Sequence, residues 1–533
     1  MWQQNYTPLG GSLPLSALVA ALPIFTLLLL LGVIRKPAWM ASLAGLGAAA
    51  LVAAGAYGMP LGKLCAAVAY GAAFGLFPIG WVVFTAILLY RVTVESGKFE
   101  TLKNSIGHLT DDRRLQALLI AFAFGAFVEG AAGFGTPVAV AAAMLTGLGF
   151  SPFQAAAVCL LANTAPVAFG SIGIPITTLA LTTGLPVDRL SAEVGRIVAP
   201  VSLFIPAYLV AVMAGWKGLR GVLPAAAVCG VAFAGVQFAV SNFIGVQLTD
   251  IMASMAAMGA LVVFILLSKR PQGRPALTPR SGREVGLAWT PYALLVVLVL
   301  LWGYKPALKY LNAATIAFPW PFLHNAIQRM PPVVAKAAGY PALYTFNWLS
   351  ASGTACLIAA LLGAVIVGLG PRQFAGALGR TGKQLAKAEL TMAAVLALAF
   401  LMNYSGATAT LGLAFAATGR AFPFFSAMLG WLGVFLTGSD TSSNALFGSL
   451  QVVTAGKLGM NPVLMAAANS SGGVMGKMIS LTNIAVAAGA TSMKREEEAL
   501  LFRFTLKHSV ILASVVGLIV VFYSYVAPWW AVK

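Results

Sequence analysis

Charged residues are scarce in this chain of 533 residues. Only 9% of them are Asp, Glu, Lys or Arg and 60% are hydrophobic, whereas soluble globular chains carry about 25% charged residues. This excludes an ordinary soluble enzyme or binding domain. Apolar stretches of about 20 residues recur along the whole chain, as membrane-spanning helices require. They are continuous rather than alternating, which excludes a transmembrane β-barrel.

Residues that bind metals or redox cofactors are also few. The four cysteines lie far apart, with neither metal-ligand spacing nor a disulfide pattern: Cys65, Cys159, Cys229 and Cys356. The glycine-rich segment "GAAGFG" (130–135) has the wrong spacing for a dinucleotide fingerprint, and "GVMGKM" (473–478) lacks the hydroxyl residue that follows a phosphate-loop lysine. We therefore expect no cofactor and no metal, and a process driven by an ion gradient rather than by ATP.

Acidic residues number 14 against 33 basic residues, so the net charge is +19. Such an excess is compatible with nucleic-acid binding, but membrane proteins also concentrate Lys and Arg in their cytoplasmic loops. With the N-terminus placed outside, most basic residues fall in loops on the cytoplasmic side. The charge pattern therefore predicts a multi-pass protein in the lipid bilayer, with both termini extracytoplasmic and no nucleic-acid partner.

The apolar stretches predict about twelve spans and two hairpins. Two stretches, 116–149 and 424–455, are interrupted by polar, glycine-rich tips. Their arms of about 12 residues are too short to cross a bilayer of about 30 Å, so each is predicted to be a re-entrant helical hairpin. The twelve spans are expected near 12–34, 38–58, 70–92, 153–182, 197–214, 222–242, 250–268, 287–303, 348–370, 389–404, 463–488 and 508–528.

Three pairs of short segments reveal a duplication. "GAFVEG" and "GVFLTG", "ESGKFETL" and "YSGATATL", and "ANTAPVAFG" and "ANSSGGVMG" are each separated by 306 to 309 residues. The loops around the two hairpins differ in charge, which predicts opposite orientations, as in the inverted repeats of secondary transporters. The expected organisation is a first repeat at 1–220, linking spans with a cytoplasmic loop at 221–286, and a second repeat at 287–533.

Each repeat also carries a helix that should break within the membrane. Span 153–182 contains Pro166 and Pro175, and proline disrupts the preceding helical turn. Span 463–488 contains the glycine-rich segment "NSSGGVMGK" (469–477). Irregular backbone at membrane depth is tolerated where it lines a cavity or is buried in protein, and half-helix N-termini favour anions. The fold class is thus an all-α polytopic membrane protein with hairpins and broken helices around an anion-binding cavity.

Polar residues in these hairpin tips and breaks are the candidate site. Glu129 and Asp440 are the two acids expected at membrane depth, where an unpaired carboxyl is more stable when protonated, and both are candidates for proton coupling. Lys477, the one basic residue within a span, either neutralises Asp440 or attracts an anionic substrate. The candidates for substrate binding are neutral donors and acceptors: Asn163, Thr164, Ser442, Ser443, Asn444, Asn469, Ser470 and Ser471.

Several long motifs resemble the bacterial L-lactate permease family. They are "GAFVEGAAGFGTPVA", "NTAPVAFGSIGIPI", "GWLGVFLTGSDTSSNALFG", "GGVMGKMIS" and "FRFTLKHS". The resemblance spans nearly the entire chain. It implies a symporter of the bacterial cytoplasmic (inner) membrane that takes up L-lactate with a proton and often accepts glycolate and D-lactate. The wider kinship of the family suggests a homodimer and elevator motion.

Two other functions stay open at the level of sequence. Backbone carbonyls at the breaks could bind Na⁺ as readily as carboxyls bind protons, which gives a sodium-coupled carboxylate transporter of the same fold. A membrane enzyme would need a nucleophile and a base at depth, and only Asp440 with Lys477 could supply them. Uptake without sodium would argue against the first alternative.

Overall fold

The computed structural model describes residues 1–107, 109–133, 135–268 and 282–532, and helices form most of this length. Short π- or 3-10-helical segments extend or join several of the α-helices. The first part of the chain contains α1 Leu13–Leu28, α2 Ala38–Gly55, α3 Leu61–Phe74, α4 Trp81–Glu95, α5 Lys98–Gly107, α6 Arg113–Gln116, α7 Gly125–Ala131, α8 Thr136–Gly147, α9 Pro152–Ala162 and α10 Gly170–Thr183.

Two helices lead from the first part of the chain to the second, α11 Val187–Phe243 and α12 Thr249–Leu267. The second part contains α13 Gly282–Gly303, α14 Lys305–Leu311, α15 Ser352–Ile366, α16 Pro371–Ser405, α17 Ala407–Phe415, α18 Phe422–Thr437, α19 Asp440–Leu458, α20 Pro462–Gly476, α21 Leu481–Thr491 and α22 Arg495–Tyr525. Many apolar side chains on the outer faces are exposed, among them Leu18, Phe204 and Leu266, which suits contact with lipid.

Small strands were not expected from the sequence. They are β1 Trp2–Gln3, β2 Ile316–Pro319, β3 Ile327–Arg329, β4 Ala338–Gly339 and β5 Leu343–Phe346. β1 pairs in parallel with β3, which pairs antiparallel with β4, and β2 pairs antiparallel with β5. The N-terminus is therefore fastened to the segment 304–351, which connects α13 to α15, contains α14 and is called the strand cap below.

The predicted spans are largely confirmed as helices. Within the described residues, ten helices are long and apolar enough to cross a membrane, or up to twelve when each bent helix pair is one span. The expected spans 197–214 and 222–242 both lie in α11, which is two helices that follow each other across a kink, with non-helical backbone at Gly215 and Val222. A glycine there takes a positive φ at little cost, so the chain turns without a loop.

The two hairpin stretches each form two helical arms, and three of the four arms are longer than the predicted 12 residues, whereas Thr136–Gly147 has 12. The first hairpin has arms 113–131 and Thr136–Gly147, and the second has arms Phe422–Thr437 and Asp440–Leu458. The prediction of short arms was therefore right for Thr136–Gly147 and wrong for the other three arms, because the polar residues near the tips are tolerated inside the helices. The re-entrant path of the hairpins stays a prediction.

The second hairpin packs closely against α20. A Cβ added at Gly430 would lie 1.8 Å from the Asn469 carbonyl oxygen, and one at Gly472 would lie 2.1 Å from the Ala427 carbonyl oxygen. Only glycine permits such backbone contact, a device typical of helix pairs in membranes. The hairpin and the broken helix are thus held together at the level of Asn469.

Each half of the chain contains a hairpin followed by a bent helix pair, in the order that the duplication predicts. The opposite orientation of the halves, the boundaries at 1–220, 221–286 and 287–533, and the homodimer stay predictions. Residues 269–281 of the predicted cytoplasmic loop lie outside the described residues.

Candidate functional site

The first broken helix bends where the sequence predicts. α9 and the segment 167–183 meet at an angle of 67°. Ser171 and Ile172, which follow the break, have φ values of 47° and 60°. Positive φ is costly for a β-branched residue such as isoleucine. The fold therefore holds a strained backbone at this point, as binding sites and gates often do.

The second broken helix bends by 43° between the segment 462–479 and α21. The break follows the predicted "GGVMGK" segment, and Ser480 lies between the two helices. The Asn483 side chain donates to the Lys477 carbonyl oxygen at 3.0 Å. This bond satisfies one of the carbonyls that a helix end leaves without an intrahelical partner.

Asp440 lies in the first turn of α19, buried with 3% of its surface exposed. Its Oδ2 accepts hydrogen bonds from Ser470 Oγ at 2.5 Å and from Asn444 Nδ2 at 3.2 Å. Asn444 also donates to the Pro175 carbonyl oxygen at 3.1 Å and accepts from Asn469 Nδ2 at 2.9 Å. Asp440 thus connects the second hairpin directly to the second broken helix and, through Asn444, to the first. The other carboxylate oxygen of Asp440, Oδ1, is buried without a partner among the described residues.

This network extends to two residues that the sequence reasoning missed. Gln451 Nε2 donates to Asn469 Oδ1 at 3.1 Å, and Ser426 Oγ donates to Gln451 Oε1 at 2.8 Å. Both residues are fully buried. They fix the orientation of the Asn469 amide, because its oxygen must accept from Gln451 while its nitrogen donates to Asn444. The sequence did not indicate Gln451 or Ser426, because each is a single polar residue in an apolar helix and belongs to no recognisable motif.

Lys477 forms an ion pair with Glu129. The Lys477 Nζ lies 2.6 Å from Glu129 Oε1, and both side chains are at least nine-tenths buried. The pair joins the tip of the first hairpin to the second break. Lys477 therefore contacts Glu129 rather than Asp440, although it lies within electrostatic range of Asp440. The predicted alternative of an Asp440–Lys477 contact was wrong, because the fold brings two distant tips together.

Asp250 is a further acid at this depth, and the expectation of only two was wrong. It lies in the first turn of α12, completely buried, and neither carboxylate oxygen has a hydrogen-bond partner among the described residues. It lies within electrostatic range of Glu129 and Lys477 and close to Gln237. Gln237 in turn donates to the Ala165 carbonyl oxygen at the first break, at 3.1 Å.

Glu193 is also completely buried, in α11. Its Oε2 accepts a hydrogen bond from the Val532 backbone N–H. The contact fastens the C-terminal segment to α11, which is a structural role.

The remaining predicted residues fall into two groups. Asn163 and Ser471 are buried, and their side-chain polar atoms have no partner among the described residues; Ser442 is also buried, at 8% exposure. Thr164 and Ser443 donate to the backbone oxygens of Leu161 and Gly430, at 2.8 Å and 3.1 Å. Thr164 and Ser443 therefore use their hydroxyls in helix packing, whereas Asn163 and Ser471 have unused hydrogen-bonding atoms among the described residues.

The buried polar residues around Asp440, Glu129 and Lys477 form a layer at the two breaks, called the polar layer below. A cavity of about 660 Å³ extends toward this layer. Its walls include Asn347 of the strand cap, Ser352 at the start of α15, and Ile172 and Ile174 of α10. Behind Ile172, Ser171 Oγ donates to the Ala132 carbonyl oxygen of the first hairpin tip at 3.1 Å. A Cβ at Gly170 would lie 2.6 Å from Glu129 Oε1. The strained segment 171–173 therefore separates an open vestibule from the Glu129–Lys477 pair by one layer of backbone.

Comparison with known proteins agrees with this architecture. The family model described as L-lactate permease matches residues 16–527. An L-lactate permease of Bacillus subtilis is 44% identical over 99% of this chain and 99% of its own. A glycolate permease, GlcA, of Escherichia coli is 44% identical over 98% of both chains, and an L-lactate permease of the same bacterium is 42% identical over 99% of both. This chain is therefore a multi-pass membrane protein that belongs to the L-lactate permease family, and it is a transporter rather than an enzyme.

Proposed function

We propose that this protein takes up L-lactate, and with it D-lactate and glycolate, across the bacterial cytoplasmic membrane by proton symport. Membership of the L-lactate permease family supports the substrate class, and the names of its relatives include both lactate and glycolate permeases. Lactate and glycolate differ by one methyl group, which an apolar pocket discriminates by only about 1–3 kcal/mol. One site can therefore serve both.

The polar layer at the two breaks offers groups for a 2-hydroxymonocarboxylate. Asn163 and Ser471 supply a buried amide and hydroxyl without partners, and buried polar groups normally find hydrogen bonds. The Asn444–Asn469 pair presents fixed amides beside them. The carboxylate and hydroxyl of the substrate would complete these bonds when the layer opens to the vestibule. Thr164, Ser442, Ser443 and Ser470 would support this cage through helix packing and the network of Asp440.

The observation that carries proton coupling is the pair of buried carboxyls with unpartnered oxygens, Asp250 and Asp440. A buried carboxylate without a cation in contact is destabilised by several kcal/mol, and binding a proton removes that charge. Each group would hold a proton while the layer is closed and release it when water enters. The Glu129–Lys477 pair would tune this exchange, because it lies within electrostatic range of Asp250, and Lys477 also lies within range of Asp440.

The test is uptake of labelled L-lactate by proteoliposomes in sodium-free buffer under an inward proton gradient. We expect accumulation that collapses on addition of a protonophore. Uptake that appears only when sodium is added would overturn proton coupling and favour the sodium-coupled alternative. Absence of uptake under both gradients would overturn the proposed substrate class.

Asp250→Asn should weaken coupling without unfolding the protein. Neither oxygen of Asp250 forms a hydrogen bond of standard geometry among the described residues, and the nearby Gln237 amide can still donate to the carbonyl oxygen of asparagine. The isosteric amide therefore preserves the packing but cannot bind and release the coupling proton. We expect the accumulation ratio of L-lactate to fall at least about fivefold, since one altered charge near a buried pair is worth roughly 1 kcal/mol or more. Asp111→Asn, at an exposed acid outside both the vestibule and the buried layer, is the matched control. An unchanged ratio in Asp250→Asn would remove this residue from the coupling mechanism.

A further inference from the structure

We propose that a second, smaller cavity beside the strand cap binds the substrate carboxylate before it enters the polar layer. The cavity has a volume of about 90 Å³. This is about three times the share of one water molecule in the liquid, so it accommodates an anion of a few non-hydrogen atoms. Its walls come from the strand cap, the end of α10, the break between α16 and α17, and α19.

Arg329 supplies the positive charge of this cavity. It is the last residue of β3, and its guanidinium lies over the Tyr340 ring at 4.8 Å from the centroid. Its Nε is buried without a hydrogen-bond partner, and among the described residues no carboxylate lies within ion-pair distance of it. Arg329 as a whole is half-buried, so its guanidinium reaches the cavity with donors that no described carboxylate occupies, and those planar donors match a carboxylate.

The start of α17 faces the same cavity. Gly406, with a φ of 91°, ends α16 and allows α17 to begin at Ala407. Thr408 and Ala409 line the cavity, and helix geometry leaves the N–H groups of a first turn without intrahelical partners. Thr408 is 4% exposed, and within the described part of the chain its hydroxyl forms no hydrogen bond. A helix N-terminus and a free hydroxyl thus meet an arginine across a small space, which favours an anion.

The far wall of the cavity distinguishes a hydroxy acid from a simple halide. Ser449 and Asn403 line it and are hydrogen-bonded to each other at 3.0 Å. A hydroxyl on the carbon next to the carboxylate can reach such polar groups, whereas a monatomic anion cannot bridge from Arg329 to them. The ligand is therefore a small 2-hydroxymonocarboxylate.

The position of the cavity assigns it to the access route. Ser449 lies on α19, the helix that carries Asp440 and Asn444. Ser449 also donates to the Thr182 carbonyl oxygen at 2.6 Å, and the Thr182 hydroxyl contacts the Asn444 carbonyl oxygen at 3.5 Å. The inference rests on the proposed function in one respect, because it takes the transported anion as the ligand.

Arg329→Ala should raise the KM for L-lactate uptake at least about tenfold, because a charge-assisted bidentate contact is lost. The maximal rate of this variant should stay within about twofold of the wild type. Arg329→Lys, which keeps the charge but not the fork, should give an intermediate KM. Lys336→Ala is the matched control, because Lys336 is an exposed cation of the same cap. An unchanged KM in Arg329→Ala, or an equal rise of the KM in Lys336→Ala, would overturn this binding site. Proton-driven uptake by the wild type would still support the proposed function in that case.

Binding can also be measured without transport. Val452 and Val453 line the cavity, and Cys65 is the exposed cysteine, whereas Cys159, Cys229 and Cys356 are buried. In purified Cys65→Ser protein carrying Val452→Cys or Val453→Cys, we expect L-lactate to slow modification by a small thiol reagent, and Arg329→Ala to remove this protection. Modification that lactate does not slow, or no modification at either position, would overturn the inference even if Arg329→Ala raised the KM.

Discussion

Asp440→Asn is expected to abolish proton-driven accumulation of L-lactate while the protein stays folded. With an inward gradient of about two pH units, a symporter that couples one proton to one lactate reaches about a hundredfold accumulation, because each unit is worth about 1.4 kcal/mol. The asparagine variant should reach an inside-to-outside ratio near one. It should still exchange labelled for unlabelled lactate, because exchange needs binding and movement but no net proton transfer.

The geometry of Asp440 explains why this substitution should preserve the fold. Ser470 and Asn444 both donate to Oδ2, and the carbonyl oxygen of asparagine can accept from both. The amide nitrogen would replace Oδ1, which has no partner among the described residues. Asp111→Asn, at an exposed acid in the loop before the first hairpin, is the control and should accumulate lactate normally. Full accumulation by Asp440→Asn would remove Asp440 from the coupling mechanism.

Much of this site was predictable because polar residues inside apolar stretches stand out. Asp440 and Glu129 stand out in apolar stretches that otherwise suit a membrane, and Pro166 and Pro175 mark a helix that cannot continue unbroken. The cost of burying such groups makes them candidates for function. The positions of the hairpins and of the two breaks followed from the same contrast, whereas the family resemblance rested on the long motifs themselves.

The contacts themselves were beyond sequence reasoning. Glu129 and Lys477 are 348 residues apart, and only the packing of the first hairpin tip against the second break makes them partners. Asp250 begins an apolar span, where an acid is equally compatible with the membrane interface, so nothing in its neighbours marked it as buried. The strands of the cap, including β3 with Arg329, are too short for a periodic pattern.

Lys477→Met should strongly destabilise the protein, because it leaves the Glu129 carboxylate buried without its cation. Removing one partner of a buried ion pair costs about 3–5 kcal/mol. Methionine keeps the length and apolar stem of lysine, so the loss is mainly electrostatic. We expect a clear fall in the thermal midpoint of the detergent-purified protein, followed by fluorescence-detected size exclusion, together with loss of lactate uptake.

The double variant Glu129→Gln with Lys477→Met separates stability from function. It removes both charges, so most of the lost stability should return. Independent sites add to within about 0.3–0.5 kcal/mol, and the double-mutant cycle should give a coupling energy well above that range. Uptake should stay absent, because the neutral pair no longer acts on Asp250 and Asp440. Additive losses of stability would show that the pair contributes little to the fold. Restored uptake would show that its charges serve only to hold the first hairpin tip against the second break.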